Sequence, residues 1–484
     1  MFTCDFSKRG SRSLTQFLYD SLKNEILEGR IKPHQKIPSK RELSEHLGVS
    51  VITVQNAYLQ LIDEGWIYSV EKKGYFAEET GSFPKNPAPA DPPKTKGTSN
   101  FISDSGTLPS FSQSAHTELI ADFTSNSTQA QAFPFATWTK VNKTVLAQYT
   151  TSILDRQDFR GTFFLRQQIC QYLKNFRGMD VNPDQVVIGA GTESLYSMVI
   201  KFFGQEKIYG MENPGYKKLS LIFSTSGCRC IPLSMDENGL DIQNLQNTSV
   251  EIVHVTPSHH FPTGRVMSVK RRNELLEWAE RSGGYILEDD YDSEFRFLGQ
   301  PLQALYSADK NGRTFYMNTF SKTLSPSFRI SFMIIPSPLL NSFINKMGFY
   351  SCTVGSFEQY TLAQFMKEGH FERHIRRMKN YYKNLRNSLI YALEHNDQGK
   401  NITILEEHAG LHFLMQVKSE KTEKELQKEL LEKGIKLALL KDYDLTASNI
   451  DQAEPSPNAT FVINYSGIEK EKILEIVRIM TACF

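Results

Sequence analysis

From about residue 119 onward the chain alternates short apolar runs with stretches of helical period. QVVIGAG, KIYGME, CRCIPLS, IVHVTPS, YILEDDY, TFYMNTF and ISFMIIP succeed one another, each the length of a buried strand and most of them rich in β-branched or aromatic residues. Between several of them, SLYSMVIKFF and VKRRNELLEWAERS space their apolar residues as amphipathic helices do. This alternation predicts an α/β fold with a mostly parallel central sheet and a small C-terminal α+β subdomain. In such sheets ligands bind beyond the carboxyl ends of the strands. The informative residues are therefore expected where the apolar runs stop.

The first 80 residues follow another pattern. Ser39-Lys40-Arg41-Glu42 has the form of a capping box, opening a helix KRELSEHL that ends near Gly48. Ser50 caps a second helix, VITVQNAYLQLIDEG. Two helices around a short glycine-containing turn make a helix-turn-helix, with Leu43, Leu47, Val54, Ala57 and Leu61 as its core. WIYSV and GYFAEE then flank Glu71-Lys72-Lys73-Gly74, which reads as a β-hairpin wing with a basic tip. Between the two regions, residues 81–118 hold Pro84, Pro87, Pro89, Pro92 and Pro93 among Ser, Thr, Gly and Lys. That composition buries too little apolar surface to offset the entropy of ordering, and predicts an extended tether. The expected division is 1–80, 81–118 and 119–484.

Composition changes this picture little. The 484 residues are 40% hydrophobic and 23% charged with a formal net charge of +1, as in an ordinary soluble globular protein. A neutral total leaves room for nucleic-acid binding by one small basic domain. Six cysteines without disulfide or zinc-module spacing predict reduced, packed thiols. No apolar run approaches the ~18 residues of a membrane helix and the N-terminus lacks a signal-peptide core, so a soluble, cytoplasmic protein is expected.

The strand ends carry the chemistry. After TFYMN comes Thr319-Phe320-Ser321-Lys322-Thr323-Leu324-Ser325, and seven residues beyond Lys322 stands Arg329. A lysine at a strand end is ordinarily a solvated charge. Here hydroxyls and a guanidinium follow, suiting an amine that forms a Schiff base while Ser321 and Arg329 hold a phosphate. Thirty-three residues before Lys322, YILEDDY ends in Glu288-Asp289-Asp290-Tyr291. A pyridinium nitrogen needs a carboxylate to stay protonated, a role that falls to Asp289, with Tyr291 on the ring's 3-oxygen. Three adjacent acids also suggest a metal site, but no histidine at ligand spacing accompanies them, and no metal is expected. Gly189-Ala190-Gly191-Thr192 separates a strand from a helix, so Gly191 and Thr192 are placed to cradle a phosphate at a helix N-terminus. Tyr216, in Asn213-Pro214-Gly215-Tyr216, supplies a ring to stack on a pyridine. The cofactor this set predicts is pyridoxal 5′-phosphate.

Together with TPSHHFPTG and GHFERHIRRMKNYY, these motifs resemble the fold-type I pyridoxal-phosphate-dependent aminotransferases over most of 119–484. LYDSLKNEILEGRIKPHQKIPSKRELSEHLGVSVITVQNAYLQLIDEGWI resembles winged-helix regulators of the GntR type. The combination is similar to the MocR subfamily of bacterial regulators. That resemblance implies a homodimer that binds double-stranded DNA, responds to a small-molecule effector and does not engage a membrane. Carried over position by position, it implies DNA contacts from Lys40, Arg41, Ser50, Thr53, Gln55, Lys72 and Lys73. His370 and His374, four apart on a helix, take a structural or surface role under it.

Three positions depart from these families. Val51 stands where relatives carry arginine after the capping serine, which alters affinity or sequence preference. Phe261 replaces the asparagine before Pro-Thr-Gly, leaving Tyr291 or His260 for the 3-oxygen. In the preferred register Val462 occupies the place of the arginine that clamps a substrate carboxylate, with Lys218, Arg160 and Arg376 as candidate substitutes. The leading expectation is a regulator that senses pyridoxal phosphate or an amino compound through the cofactor's aldimine. A working aminotransferase with an accessory DNA-binding domain, and a cofactor-free vestigial domain, are the rivals.

Overall fold

In the computed structural model, the described residues are 4, 6–10, 13–63, 66–70, 73–78, 119–125, 133–297, 303–396, 399–407, 410–446 and 458–484. The expected tether and Lys72 lie outside them. The chain divides into two compact units, residues 1–110 and 111–484.

In the first unit, α1 (Leu14–Leu27) and α2 (Lys40–Leu47) both pack on α3 (Val51–Asp63). Ser39 and Glu42 close the expected capping box, at 3.2 and 3.3 Å, and Gly48 ends α2 in the left-handed region at φ 65°. Ser50 Oγ accepts from the Thr53 N–H at 3.1 Å and so caps α3. Strands β1 (Lys36–Ile37), β2 (Ile67–Val70) and β3 (Gly74–Ala77) form an antiparallel sheet in the order β1-β3-β2, and the β2–β3 hairpin is the wing. Leu18, Leu22, Leu43, Val54, Ala57 and Leu61 are fully buried between the helices, with Leu47 at the edge of that core.

The second unit opens with a short strand β4 (Ala121–Asp122) and is built on β5 (Val186–Gly189), β6 (Ile208–Asn213), β7 (Arg229–Asp236), β8 (Gly239–Leu240), β9 (Ile252–Val255), β10 (Tyr285–Asp289), β11 (Thr314–Thr319) and β12 (Ser331–Ile334). Their order is β5-β12-β11-β10-β9-β6-β7-β8. All seven apolar runs named above are among these strands. The five central strands β7, β6, β9, β10 and β11 are parallel, whereas β12 runs antiparallel to both its neighbours. The reversal has a simple cause: the connection from β11 to β12, which carries Lys322, is shorter than a parallel crossover requires. Helices cover both faces. Val186 and Ile188 join one apolar core while Val187 joins the other, the two-residue period of a strand buried on both sides.

The C-terminal part forms a smaller antiparallel sheet from β13 (Ile402–Leu405), β14 (His412–Lys418), β16 (Ala438–Leu439) and β17 (Asn458–Asn464), in the order β13-β14-β17-β16. Strand β15 (Ile435–Lys436) pairs with β4 and ties this part to the start of the unit. The long helix His370–Glu394 packs on it through Met378, Tyr382, Leu385 and Leu389.

Candidate cofactor site and DNA-recognition helix

Strand ends of the large sheet surround a cavity of about 310 Å³. Gly215 and Tyr216 follow β6, Thr256, His260 and Phe261 follow β9, Asp289 ends β10, and Ser321 and Lys322 follow β11, with Thr192 and Arg329 closing one side. The structure thus brings Thr192, Tyr216, Asp289, Tyr291, Ser321, Lys322 and Arg329 into one cavity from stretches far apart in the chain. Gly191 adjoins it as the residue before the helix Thr192–Phe203.

Lys322 sits on a one-turn helix, Phe320–Thr323, with Nζ 5.9 Å from the centre of the Tyr291 ring. Burial destabilises its ammonium form and lowers the pKa to about 8, against the opposing pull of Asp292 and Asp289. The next residue is held from behind: His374 Nε2 lies 2.8 Å from the Thr323 carbonyl, which accepts its proton. Burial lowers the His374 pKa to about 4, so the ring is neutral and serves as a fixed prop. His370 pairs with Glu368 at 3.0 Å.

Asp289 is positioned by residues that the sequence reading passed over. Its Oδ2 accepts from the Tyr196 hydroxyl at 2.7 Å, and that hydroxyl lies 2.9 Å from Nε2 of His254. Oδ1 is buried without a hydrogen-bond partner among the described residues. An orphaned carboxylate oxygen in a cavity wall is costly unless a donor arrives from outside. Tyr196 falls on the inward stripe of SLYSMV and His254 within the apolar run IVHV, so both resembled core residues by pattern alone.

At the opposite wall Arg329 adopts a left-handed backbone, φ 47°, and its Nη2 lies 3.1 Å from Glu193 Oε2. Gly191 has φ 83°, and a Cβ there would stand 2.5 Å from the same nitrogen. Only glycine permits this close approach of backbone and guanidinium. Thr192, Ser321 and Arg329 thus bring two hydroxyls and a guanidinium to the cavity beside a helix N-terminus, groups that suit an anion. Lys218 and Arg329 both bridge to Glu193, and with those hydrogen bonds they hold its carboxyl below the usual range.

Tyr291 places its hydroxyl 3.3 Å from His259 Nδ1, which is itself 2.9 Å from Asp292 Oδ2. His412 lies beside His259, ring centres 4.3 Å apart and tilted by 42°, and completes a buried trio whose ligand-type atoms lie within 4.8 Å of one another. His260 bonds to Thr263 at 2.8 Å, and burial drives its pKa down to about 3, so it is neutral. Glu212 accepts twice from Thr256, at 2.9 and 3.1 Å, and burial raises its pKa to about 7. Phe261 forms an aromatic wall with Tyr216, ring centres 6.0 Å apart.

The residues present fit pyridoxal phosphate: an amine, a carboxylate with an unused buried oxygen, an aromatic ring and groups that suit an anion line one cavity. At the far end they are incomplete for an ordinary substrate. Val462 is 2% exposed, paired across the small sheet with Leu414 and Ala438, and no residue of β17 lines the cavity. Arg160 is engaged by Asp158 and Asp184, and Arg376 is exposed on its helix and outside the cavity wall. Of the candidate substitutes only Lys218 reaches the cavity.

Residues 14–76 match the family model of bacterial regulatory proteins of the gntR family, and residues 122–446 match aminotransferase class I and II. The HTH-type transcriptional regulator YdeL of Bacillus subtilis is 34% identical over 97% of this chain and 96% of its own length. The probable rhizopine catabolism regulatory protein MocR of Rhizobium meliloti is 29% identical over 96% of this chain and 93% of its own. The chain belongs to the MocR subfamily of GntR-type transcriptional regulators. A kynurenine aminotransferase of Pyrococcus horikoshii, solved with PMP, shares the fold of the second unit at a TM-score of 0.66 and 22% identity, over 76% of this chain and 91% of that one. As a member of aminotransferase class I and II, the second unit takes pyridoxal phosphate as its cofactor.

In the DNA-binding unit of this MocR-type regulator, Arg41 is exposed on the first turn of α2 and Gln55 on α3. Lys40 lies over the Tyr75 ring, 5.9 Å from its centre, and Lys73 is exposed at the wing turn. The hydroxyls of Ser50 and Thr53 are bonded to each other at 2.8 Å, so they are less available to DNA than the sequence suggests. No helix among the described residues is long and apolar enough to cross a membrane.

Proposed function

We propose that this regulator holds pyridoxal phosphate on Lys322 and couples the state of that cavity to operator binding by the winged helix. The reading takes residues 1–80 as the DNA-binding domain, 81–118 as a tether and 119–484 as the sensor, in a cytoplasmic homodimer. When bound, the cofactor supplies an electrophilic carbonyl carbon and an electron sink. Lys322 supplies the amine, kept close to its neutral form by burial. Asp289 Oδ1 would accept a hydrogen bond from the protonated ring nitrogen, while Tyr196 and His254 fix the carboxylate's orientation. Tyr216 would stack against the ring, and Tyr291 or His260 would serve its 3-oxygen. Gly191, Thr192, Ser321 and Arg329 would hold the phosphate.

One observation carries the sensing role: the cofactor end of the cavity is complete while the strand expected to clamp a carboxylate contributes nothing to it. Without a clamp, the rate advantage of an aligned substrate is lost. The effector is then pyridoxal phosphate itself or an amino compound lacking the usual carboxylate. A ligand shifts only those states it binds differently, so occupancy is read out by favouring one arrangement of the two units. The test is binding of the full chain to its own upstream DNA at fixed salt, with and without pyridoxal phosphate and candidate amines. An affinity change that vanishes in Lys322→Ala supports the reading. Unchanged affinity, or turnover of an amino donor with a keto acid at an ordinary enzyme rate of roughly 1–1,000 s⁻¹, overturns it.

A further inference from the structure

From Val51 to Asp63 helix α3 carries no lysine, arginine or histidine. Its inward residues, Val54, Ala57, Tyr58 and Leu61, fill the core of the unit. Its outward stripe is Ile52, Gln55, Asn56 and Leu59, spaced three and four apart, flanked by Val51 in the first turn. Ile52 is 70% exposed and Val51 41%. Two large aliphatic side chains therefore stand in solvent at the N-terminal end of the helix, the end that meets base edges in helix-turn-helix proteins.

The side-chain chemistry selects among base pairs. In the major groove guanine presents two acceptors, read by arginine or lysine, and α3 has neither. Adenine presents an acceptor and a donor that asparagine or glutamine pairs bidentately, and the thymine methyl offers the one apolar contact. We infer that the base pairs under α3 are A·T: Val51 and Ile52 pack on thymine methyls while Gln55 and Asn56 read adenine edges. Arg41, exposed on α2, and Lys73, exposed at the wing turn, supply cations outside α3 that suit phosphates. This rests on the DNA-binding reading, which it narrows from duplex DNA to a half-site of stated composition.

The test uses the full chain loaded with pyridoxal phosphate and a pool of duplexes with a randomised core. Selection is expected to enrich A·T at the positions covered by α3, and exchanging one such pair for G·C should weaken binding about tenfold. Replacing a contacted thymine by deoxyuridine removes the methyl and nothing else. It should cost the native protein roughly fourfold per methyl and leave a Val51→Ser, Ile52→Ser protein unaffected. These substitutions fall on exposed positions, and retained salt-dependent binding to non-specific duplex verifies that the unit is folded. Val51→Arg should move one enriched position toward guanine. Enrichment of G·C under α3, or indifference to deoxyuridine in the native protein, overturns the inference while leaving DNA binding intact. Failure to select any sequence overturns the DNA-binding reading itself.

Discussion

At the cofactor end, the termini of β5, β10 and β11 deliver Gly191, Asp289 and Lys322 to a common space; at the substrate end, β17 stays outside the cavity wall, with Val462 buried in the small sheet. The two ends are held by different means. Cofactor recognition is spread over many loops, and each group there has support of its own: Tyr196 behind Asp289, His374 behind Thr323, Gly191 against Arg329. Recognition of a substrate carboxylate depends on one long side chain reaching out of a strand. The first is therefore robust, whereas the second is removed by a single residue, and the proposed sensing role rests on that difference.

The largest expected effect separates the ends outright. Lys322→Ala should abolish the visible absorbance of the lysine-linked cofactor in full, and persistence of that absorbance would mean that another amine holds it. Restoring an arginine at the other end should fail: Val462→Arg places a charge between Leu414 and Ala438 and should destabilise the protein by ~3 kcal/mol or more. A folded Val462→Arg protein that turns over an α-amino acid would break the comparison. Asp289→Ala removes the buried partner of the ring nitrogen and should weaken cofactor binding by about 2 kcal/mol, measured by equilibrium titration.

The pH dependence sharpens the cofactor end further. The Lys322 pKa is lowered to about 8 in the folded chain against 10.5 for a free lysine. Between those values the unfolded chain keeps the proton and the folded one releases it, so this residue's contribution to stability of the cofactor-free protein rises from pH 8 to 10.5. Uptake of pyridoxal phosphate should accordingly quicken about tenfold per pH unit below 8 and level off above it. The smallest effect belongs to Arg376→Ala, outside the cavity, which should leave cofactor and effector affinity unchanged in the same titration.

Much of this was legible because it is local. The capping box at Ser39–Glu42 and the apolar runs that became β5 to β12 depend on neighbours in sequence, and so do the turns that follow the strands. Lys322, Asp289 and Arg329 announced themselves as polar groups at the ends of apolar runs. Tyr196, His254 and His374 did not, because each sits at a position that helical or strand period assigns to a core. Their function lies in a hydrogen bond to a residue distant in the chain. Ser50 and Thr53 add a contact that no period shows: their hydroxyls are bonded to each other at 2.8 Å.

The sequence by itself determined the two kinds of unit, a lysine at a strand end and a second helix of the helix-turn-helix without a basic residue, since periodicity and residue chemistry are properties of short stretches. Tertiary structure alone decided that Asp289 keeps one buried oxygen without a partner among the described residues, that β12 pairs with β5, and that Val462 is buried in the small sheet outside the cavity wall. Those outcomes follow from which strands lie side by side, and pairing across hundreds of residues is set by global packing that no local pattern encodes.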